Sequence, residues 1–175
     1  GLTFWRGLLI GISLLVIWAI MEMRNLSAQF QRLFSVPAMI IVAANLGNNL
    51  AFNFATMETS ITVVVTALAT APVLAAGLGF LILREPTPIR TWMAIAATML
   101  GVFIVILNGE GAIQAPSGNV WLGGFLGFLC ALGIALVFTM TRKSPEAPVL
   151  LACALGTLLS GFYGLFGAPA GSILT

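Results

Sequence analysis

Apolar residues in this chain gather into six long runs, roughly Phe4–Met21, Val36–Phe54, Thr59–Leu83, Ile89–Leu107, Trp121–Met140 and Pro148–Phe166, and nearly all charged positions fall in the short breaks between them. Each run is close to the ~20 residues that carry an α-helix across a bilayer. The pattern argues against strands. A membrane barrel strand alternates polar and apolar positions over about ten residues, whereas here apolar side chains occupy consecutive positions. Lipid offers backbone groups no partner, so only helices or closed barrels can span it. The pattern therefore predicts an all-α polytopic membrane protein with six transmembrane helices in these 175 residues.

Composition narrows the chemistry. Only 7 % of the residues are charged and 60 % are hydrophobic, and the mean hydropathy is +1.12. Such a chain has almost no polar surface to offer water. It contains no His and no Asp, which removes His-ligated zinc, intramembrane aspartyl chemistry and Ser-His-Asp triads. Neither a GxSxG nor an HExxH stretch occurs. The expectation is a protein that is not an enzyme and uses no metal and no cofactor. Cys130 and Cys153 both fall inside spans at a spacing that fits no metal motif, and read as small buried side chains. Residue 1 is Gly, and a span follows almost at once without the basic stretch of a signal peptide. With the trailing Gly171–Thr175, this reads as an internal fragment of a longer membrane protein.

Each helix carries the chain to the other side, so the breaks sort by side. Arg24, Arg32, Arg84, Arg90, Arg142 and Lys143 fall on one, and Arg6, with Glu58 and Glu110, on the other. Basic residues of short loops stay in the cytoplasm, so 22–35, 84–88 and 141–147 are expected inside, and 55–58, 108–119 and 167–175 outside. Trp5, Trp92 and Trp121 lie near span ends, as an aromatic belt requires. Arg6 reads as a snorkelling anchor, and Trp18 as an interfacial anchor or an apolar wall.

Inside the spans the polar groups are few and patterned. Asn45, Asn48, Asn49 and Asn53 cover an arc of roughly 140° at about 100° per residue. Four amides on one face cannot point to lipid without a large desolvation cost. They serve either as hydrogen-bonding glue between helices or as one wall of a polar cavity, and four exceed what glue needs. In the next span Thr59, Thr62, Thr66 and Thr70 cluster within about 80°. The alternative for these hydroxyls is bonding back to their own helix carbonyls. The two stripes lie on consecutive antiparallel spans joined by a short outer turn, Thr56–Glu58, and are expected to share one space. Pro72 is the one mid-span proline, which predicts a kink. No carboxylate lies deep in a span, so a proton relay lacks its usual group. Gly7 and Gly11, Ala43 with Gly47 and Ala51, Ala97 and Gly101, and Gly123 and Gly127 form small-xxx-small pairs suited to close helix packing.

The order of these features resembles the EamA-type branch of the drug/metabolite transporter superfamily. The stretch TALATAPVLAAGLGFLILREPTPIRTWMAIAATMLGVFIVILNG, Thr66–Gly109, looks like the family's fourth and fifth helices: a mid-helix Pro72, a Leu-x-Glu at the cytoplasmic end (Leu83 and Glu85), then a helix with a central Gly101. The opening TFWRG resembles the start of its second helix, and NVWLGGFLGFLCALGIALVFTMTRK the first helix of its second repeat.

The resemblance implies a ten-helix fold of two inverted five-helix repeats, of which this chain would hold helices two to seven. Residues 1–110 would be most of the first EamA-type repeat and 111–175 the start of the second. It also implies a secondary transporter, an exporter of a small polar metabolite, multi-pass in the inner (plasma) membrane and working by alternating access. The expected substrate-binding residues are Asn45, Asn48, Asn49, Asn53, Thr62, Thr66 and Thr70. Pro72 and Gly101 would set kink and packing, and Glu85 the cytoplasmic-end motif. The partners are a small-molecule solute and membrane lipid, with a homodimer left open and no role for nucleic acid. The alternative is a non-transporting integral membrane subunit whose polar faces serve only assembly.

Overall fold

The structure, a computed structural model, describes residues 2–21, 26–84, 88–108 and 119–167. Among these, every regular element is a helix: α1 (Leu2–Met21), α2 (Leu26–Leu33), α3 (Val36–Glu58), α4 (Ile61–Leu68), α5 (Ala71–Leu78), α6 (Ile89–Asn108), α7 (Val120–Lys143) and α8 (Val149–Gly167). Four stretches are long and apolar enough to cross a membrane: Phe4–Met21, Val36–Glu58, Ile61–Leu83 and Trp121–Lys143. The apolar helices α6 and α8 occupy the positions of the other two expected spans. The chain is an all-α polytopic membrane protein.

The helices differ from the expected pattern in three places. The break at 22–35 contains α2, whose Leu26, Phe30 and Leu33 recur at i, i+4 and i+7 and so share one helical face. Leu33 is buried, whereas Phe30 is exposed. The expected outer turn Thr56–Glu58 is helical instead, and the reversal narrows to Thr59–Ser60. The third span lapses in its hydrogen bonding just before Pro72, although Ala69 and Thr70 keep right-handed helical dihedrals. It stops at Leu68, passes Ala69 and Thr70 as a turn, and restarts at Ala71 with Pro72 in the first turn of α5. Proline has no N–H for the Leu68 carbonyl, and it is tolerated at the start of a helix. The lapse in the ladder at Ala69 and Thr70 accommodates the missing N–H within one right-handed helical path. The same span ends in a π-helical turn, Gly79–Leu83, followed by Arg84 at φ 55°. Arg84 is the one non-glycine residue with positive φ among those described.

Packing divides the chain into two compact units, Gly1–Asn49 with Met140–Thr175, and Leu50–Thr139. In the first unit α1 lies against α8. A Cβ added to Gly7 would stand 2.6 Å from the Cα of Gly161, and one on Gly11 2.5 Å from the Leu158 side chain. Advancing along α1 retreats along α8, so the two run antiparallel, as the first and sixth spans should. Trp18 continues the Gly7–Gly11 face at i+7 and is only 9 % exposed. It is a core residue rather than the interfacial anchor expected. Ala38, Ile41, Leu151 and Ala152 are buried in the same unit. At its surface Arg32 pairs with Glu146 at 3.4 Å, so the end of α2 and the α7–α8 turn lie together.

In the second unit α7 packs on α4 through its glycines. A Cβ on Gly123 would collide with Thr59, and one on Gly127 would lie 2.8 Å from the Cβ of Ala67. The Asn119 side chain caps α7, accepting from the N–H groups of Trp121 and Leu122 at 3.1 and 3.3 Å. Trp92, Met93, Leu100 and Ile104 of α6 are exposed, the condition of side chains that face lipid.

Candidate functional site

Polar side chains within the spans occur in both units, and in the first they are bonded to one another. This first group is built on α3 and α8. Spacing of four residues puts Asn45 and Asn49 one above the other. The Asn49 amide donates to the Asn45 carbonyl at 2.9 Å and also to the Asn45 side-chain oxygen. Asn45 in turn donates to the Cys153 carbonyl at 3.4 Å, and its Oδ1 accepts the Thr157 hydroxyl at 3.5 Å. That hydroxyl also bonds back to the Cys153 carbonyl at 2.8 Å, and Ser160 donates to the Thr157 carbonyl at 2.7 Å. The approach is possible because α8 presents Gly156 there: a Cβ would lie 2.9 Å from the Val42 carbonyl oxygen and 3.0 Å from the Asn45 Cβ. Asn45 thus ties α3 to α8, and Asn49 bonds back to Asn45 on its own helix. Asn48, also in this unit, is half-buried.

Thr157 and Ser160, both buried, lie outside the polar positions expected from the sequence. Their signal is there to read: two hydroxyls at i and i+3 beside Gly156 in an otherwise apolar run. Without the fold nothing links that run to the asparagines.

The second group is built on α4, the break and α5. Asn53 near the end of α3 is half-buried, and its carbonyl accepts the Thr56 hydroxyl at 2.9 Å. Thr62, Thr66 and Thr70 are half-buried along one face. Thr70 donates its hydroxyl to the Ala67 carbonyl at 2.7 Å, and its N–H bonds the same carbonyl at 3.1 Å rather than continuing the α-helical ladder to Thr66. The break therefore turns carbonyls at the end of α4 and N–H groups at the start of α5 away from helical pairing, each end carrying its partial charge. Thr59 lies on the other side of α4, 1 % exposed in the seam with α7, and its hydroxyl finds no hydrogen-bond partner among the described residues. The Trp18 indole N–H in the first unit has none there either.

Pro72 is exposed at the start of α5. Gly101 is exposed on α6, with open space where a side chain would stand, and Gly47 is likewise open. Of the small-xxx-small pairs expected from the sequence, Gly7–Gly11 and Gly123–Gly127 mediate close packing. Glu85 lies outside the described residues.

The profile of the EamA-like transporter family matches residues 1–107 of this chain. No curated protein and no solved structure matches it.

Proposed function

We propose a function from one premise: the chain belongs to the EamA-like transporter family, whose profile covers residues 1–107. It is a secondary transporter that exports a small polar metabolite across the inner membrane by alternating access, with no catalytic step. The interrupted third span is the observation that carries this reading. A broken helix in lipid persists where a wet cavity or neighbouring groups satisfy its freed backbone, and transporters use such breaks at the midplane to contact solute. Here the ladder lapses between α4 and α5, within a few residues of the hydroxyls of Thr66 and Thr70. That combination offers both acceptors and donors without a full charge. It suits a neutral or zwitterionic solute better than a bare ion.

Within its own unit, Asn53 with Thr62, Thr66 and Thr70 supplies the solute contacts. Asn45, Asn48 and Asn49 serve as polar contacts in the other, with Asn45 also holding α8. Residues 1–110 form most of a first repeat and 111–175 begin a second. In support, the family match stops at 107, where α6 is about to end.

The test is flux in proteoliposomes with a panel of labelled neutral and zwitterionic metabolites. Thr66→Val keeps the shape and removes the hydroxyl. It should raise the apparent KM for the transported solute, about tenfold for each 1.4 kcal/mol of binding free energy that the hydroxyl supplies. Unchanged KM and rate at matched folded protein would sink the assignment of the break, and no protein-dependent flux of any panel member would favour the assembly-only alternative.

A further inference from the structure

We propose that the end of the third span is a binding site for an anionic phospholipid, with Arg84 holding the headgroup phosphate and Phe80 and Leu81 seating an acyl chain. These three residues line a cavity of about 370 Å³. Phe80 is 60 % and Leu81 71 % exposed, and Arg84 is exposed at the point where the helix stops. The lining changes character along the helix. The cation stands at the helix end, and the two large apolar side chains lie three to four residues deeper. A phospholipid has the same order, phosphate outermost and hydrocarbon beneath.

The backbone holds this order in place. The π-helical turn Gly79–Leu83 widens the last turn, and Arg84 then takes a left-handed conformation. A left-handed residue stops the helix, and for a side chain as large as arginine that backbone is uncommon. Asparagine, the usual non-glycine choice there, would end the helix equally well, so termination does not explain the cation. A planar guanidinium is, however, well matched to a phosphate, which it can grip through two hydrogen bonds. Charge complementarity selects the leaflet. The distribution of arginines and lysines places Arg84 on the cytoplasmic side, where anionic lipids give the bilayer a negative surface. Arg90, exposed at the start of α6 across the same break, adds a second cation to that side.

The site can be titrated directly. The full chain in detergent is exposed to dioleoyl-phosphatidylglycerol or dioleoyl-phosphatidylcholine, and bound lipid is measured by native mass spectrometry. Attraction of one arginine for an anionic surface corresponds to about a fivefold preference for the glycerol headgroup. Arg84→Asn, which retains a residue tolerated at positive φ, should abolish that preference, and Arg84→Lys should keep most of it. Phe80→Ala should weaken both lipids together by removing the apolar seat. A photoreactive side chain at position 81 of the protein in phosphatidylglycerol nanodiscs should cross-link to lipid. Equal binding of the two lipids by the unaltered chain, or a preference undiminished in Arg84→Asn, overturns the proposal. So does a position-81 adduct consisting of two copies of the chain, which would make the surface a protein interface.

Discussion

The hydroxyl of Thr157 donates to the side-chain oxygen of Asn45 at 3.5 Å, tying α8 to α3 within one compact unit. The bond is long because the single hydroxyl proton is shared with the Cys153 carbonyl at 2.8 Å, to which the Asn45 amide also donates at 3.4 Å. Side-chain hydrogen bonds inside membranes average ~0.6 kcal/mol. Asn45→Leu and Thr157→Val should each lower the melting temperature in detergent by about 1–2 °C, given ~2–4 °C per kcal/mol for a chain of this size. The double variant should lose less than the sum of the two, because both remove the same bond. Strict additivity in that cycle would show that the two side chains do not interact.

Glycine substitutions should separate positions that are packed from those that are open. Gly7→Ala places a Cβ 2.6 Å from the Gly161 backbone, whereas Gly161→Ala meets Gly7 at 3.3 Å. Overpacking costs about 1–3 kcal/mol, so Gly7→Ala should be clearly destabilising and Gly161→Ala milder. Gly101→Ala, with nothing within 4 Å, should be neutral or stabilising by about 0.5–1 kcal/mol, as expected for removing a mid-helix glycine. Thermal unfolding of the three variants gives the order, and a Gly101→Ala variant as damaged as Gly7→Ala would contradict it.

Thr59 makes the opposite case. Its hydroxyl is enclosed in the α4–α7 seam without a partner among the described residues, and an enclosed, unmatched polar group costs about 1–3 kcal/mol. Thr59→Val preserves the shape that meets Gly123 and removes that cost. It should raise the melting temperature, whereas Gly123→Ala, whose Cβ would collide with Thr59, should lower it. A fall in stability for Thr59→Val would reveal a bond that this hydroxyl does make.

The Arg32–Glu146 pair bears on topology more than on stability. Its side chains are 51 % and 83 % exposed, and exposed ion pairs contribute about 0–1 kcal/mol. Glu146→Gln should leave the melting temperature almost unchanged. Because the pair joins the α2 region to the α7–α8 loop, cysteines placed at Ser35 and Ser144 in a Cys-free background should label from the same side, the cytoplasmic one. Labelling of the two from opposite sides would break the fold's first unit.

Much of this is legible in the sequence. Hydropathy runs locate the spans to within a few residues because lipid leaves the backbone no alternative to the helix. Gly7, Gly11, Gly123 and Gly127 are readable as packing positions because close approach needs small residues at a spacing of four. Their partners are not readable: nothing in a linear pattern joins Gly7 to Gly161 or Asn45 to Thr157. The α2 helix escapes a reading of its break by charge alone, although Leu26, Phe30 and Leu33 carry a helical period. Pro72 marks the place where the third span loses its regular hydrogen bonding. A proline inside an apolar run reads as a bend, and only the backbone shows that the hydrogen-bond ladder lapses at Ala69 and Thr70 while both keep right-handed helical dihedrals. The four asparagines read as one surface from their angles alone, yet Asn49 bonds to Asn45, and Asn45 also to α8.

The pairing of Gly7 with Gly161 also sets a timetable for biosynthesis. Roughly 150 residues separate them, so at about 5–20 residues per second the ribosome needs on the order of 10–30 seconds to supply the second after the first. Throughout that interval α1 is in the bilayer with its glycine face bare and its eventual neighbour unmade. Whatever shelters that face, whether lipid, the insertion machinery or a transient neighbour from the same chain, has to give way when α8 arrives. The step that completes this unit is therefore a late displacement within the membrane, and slowing synthesis between α1 and α8 should lengthen exposure of the nascent chain to membrane proteases without altering the finished protein.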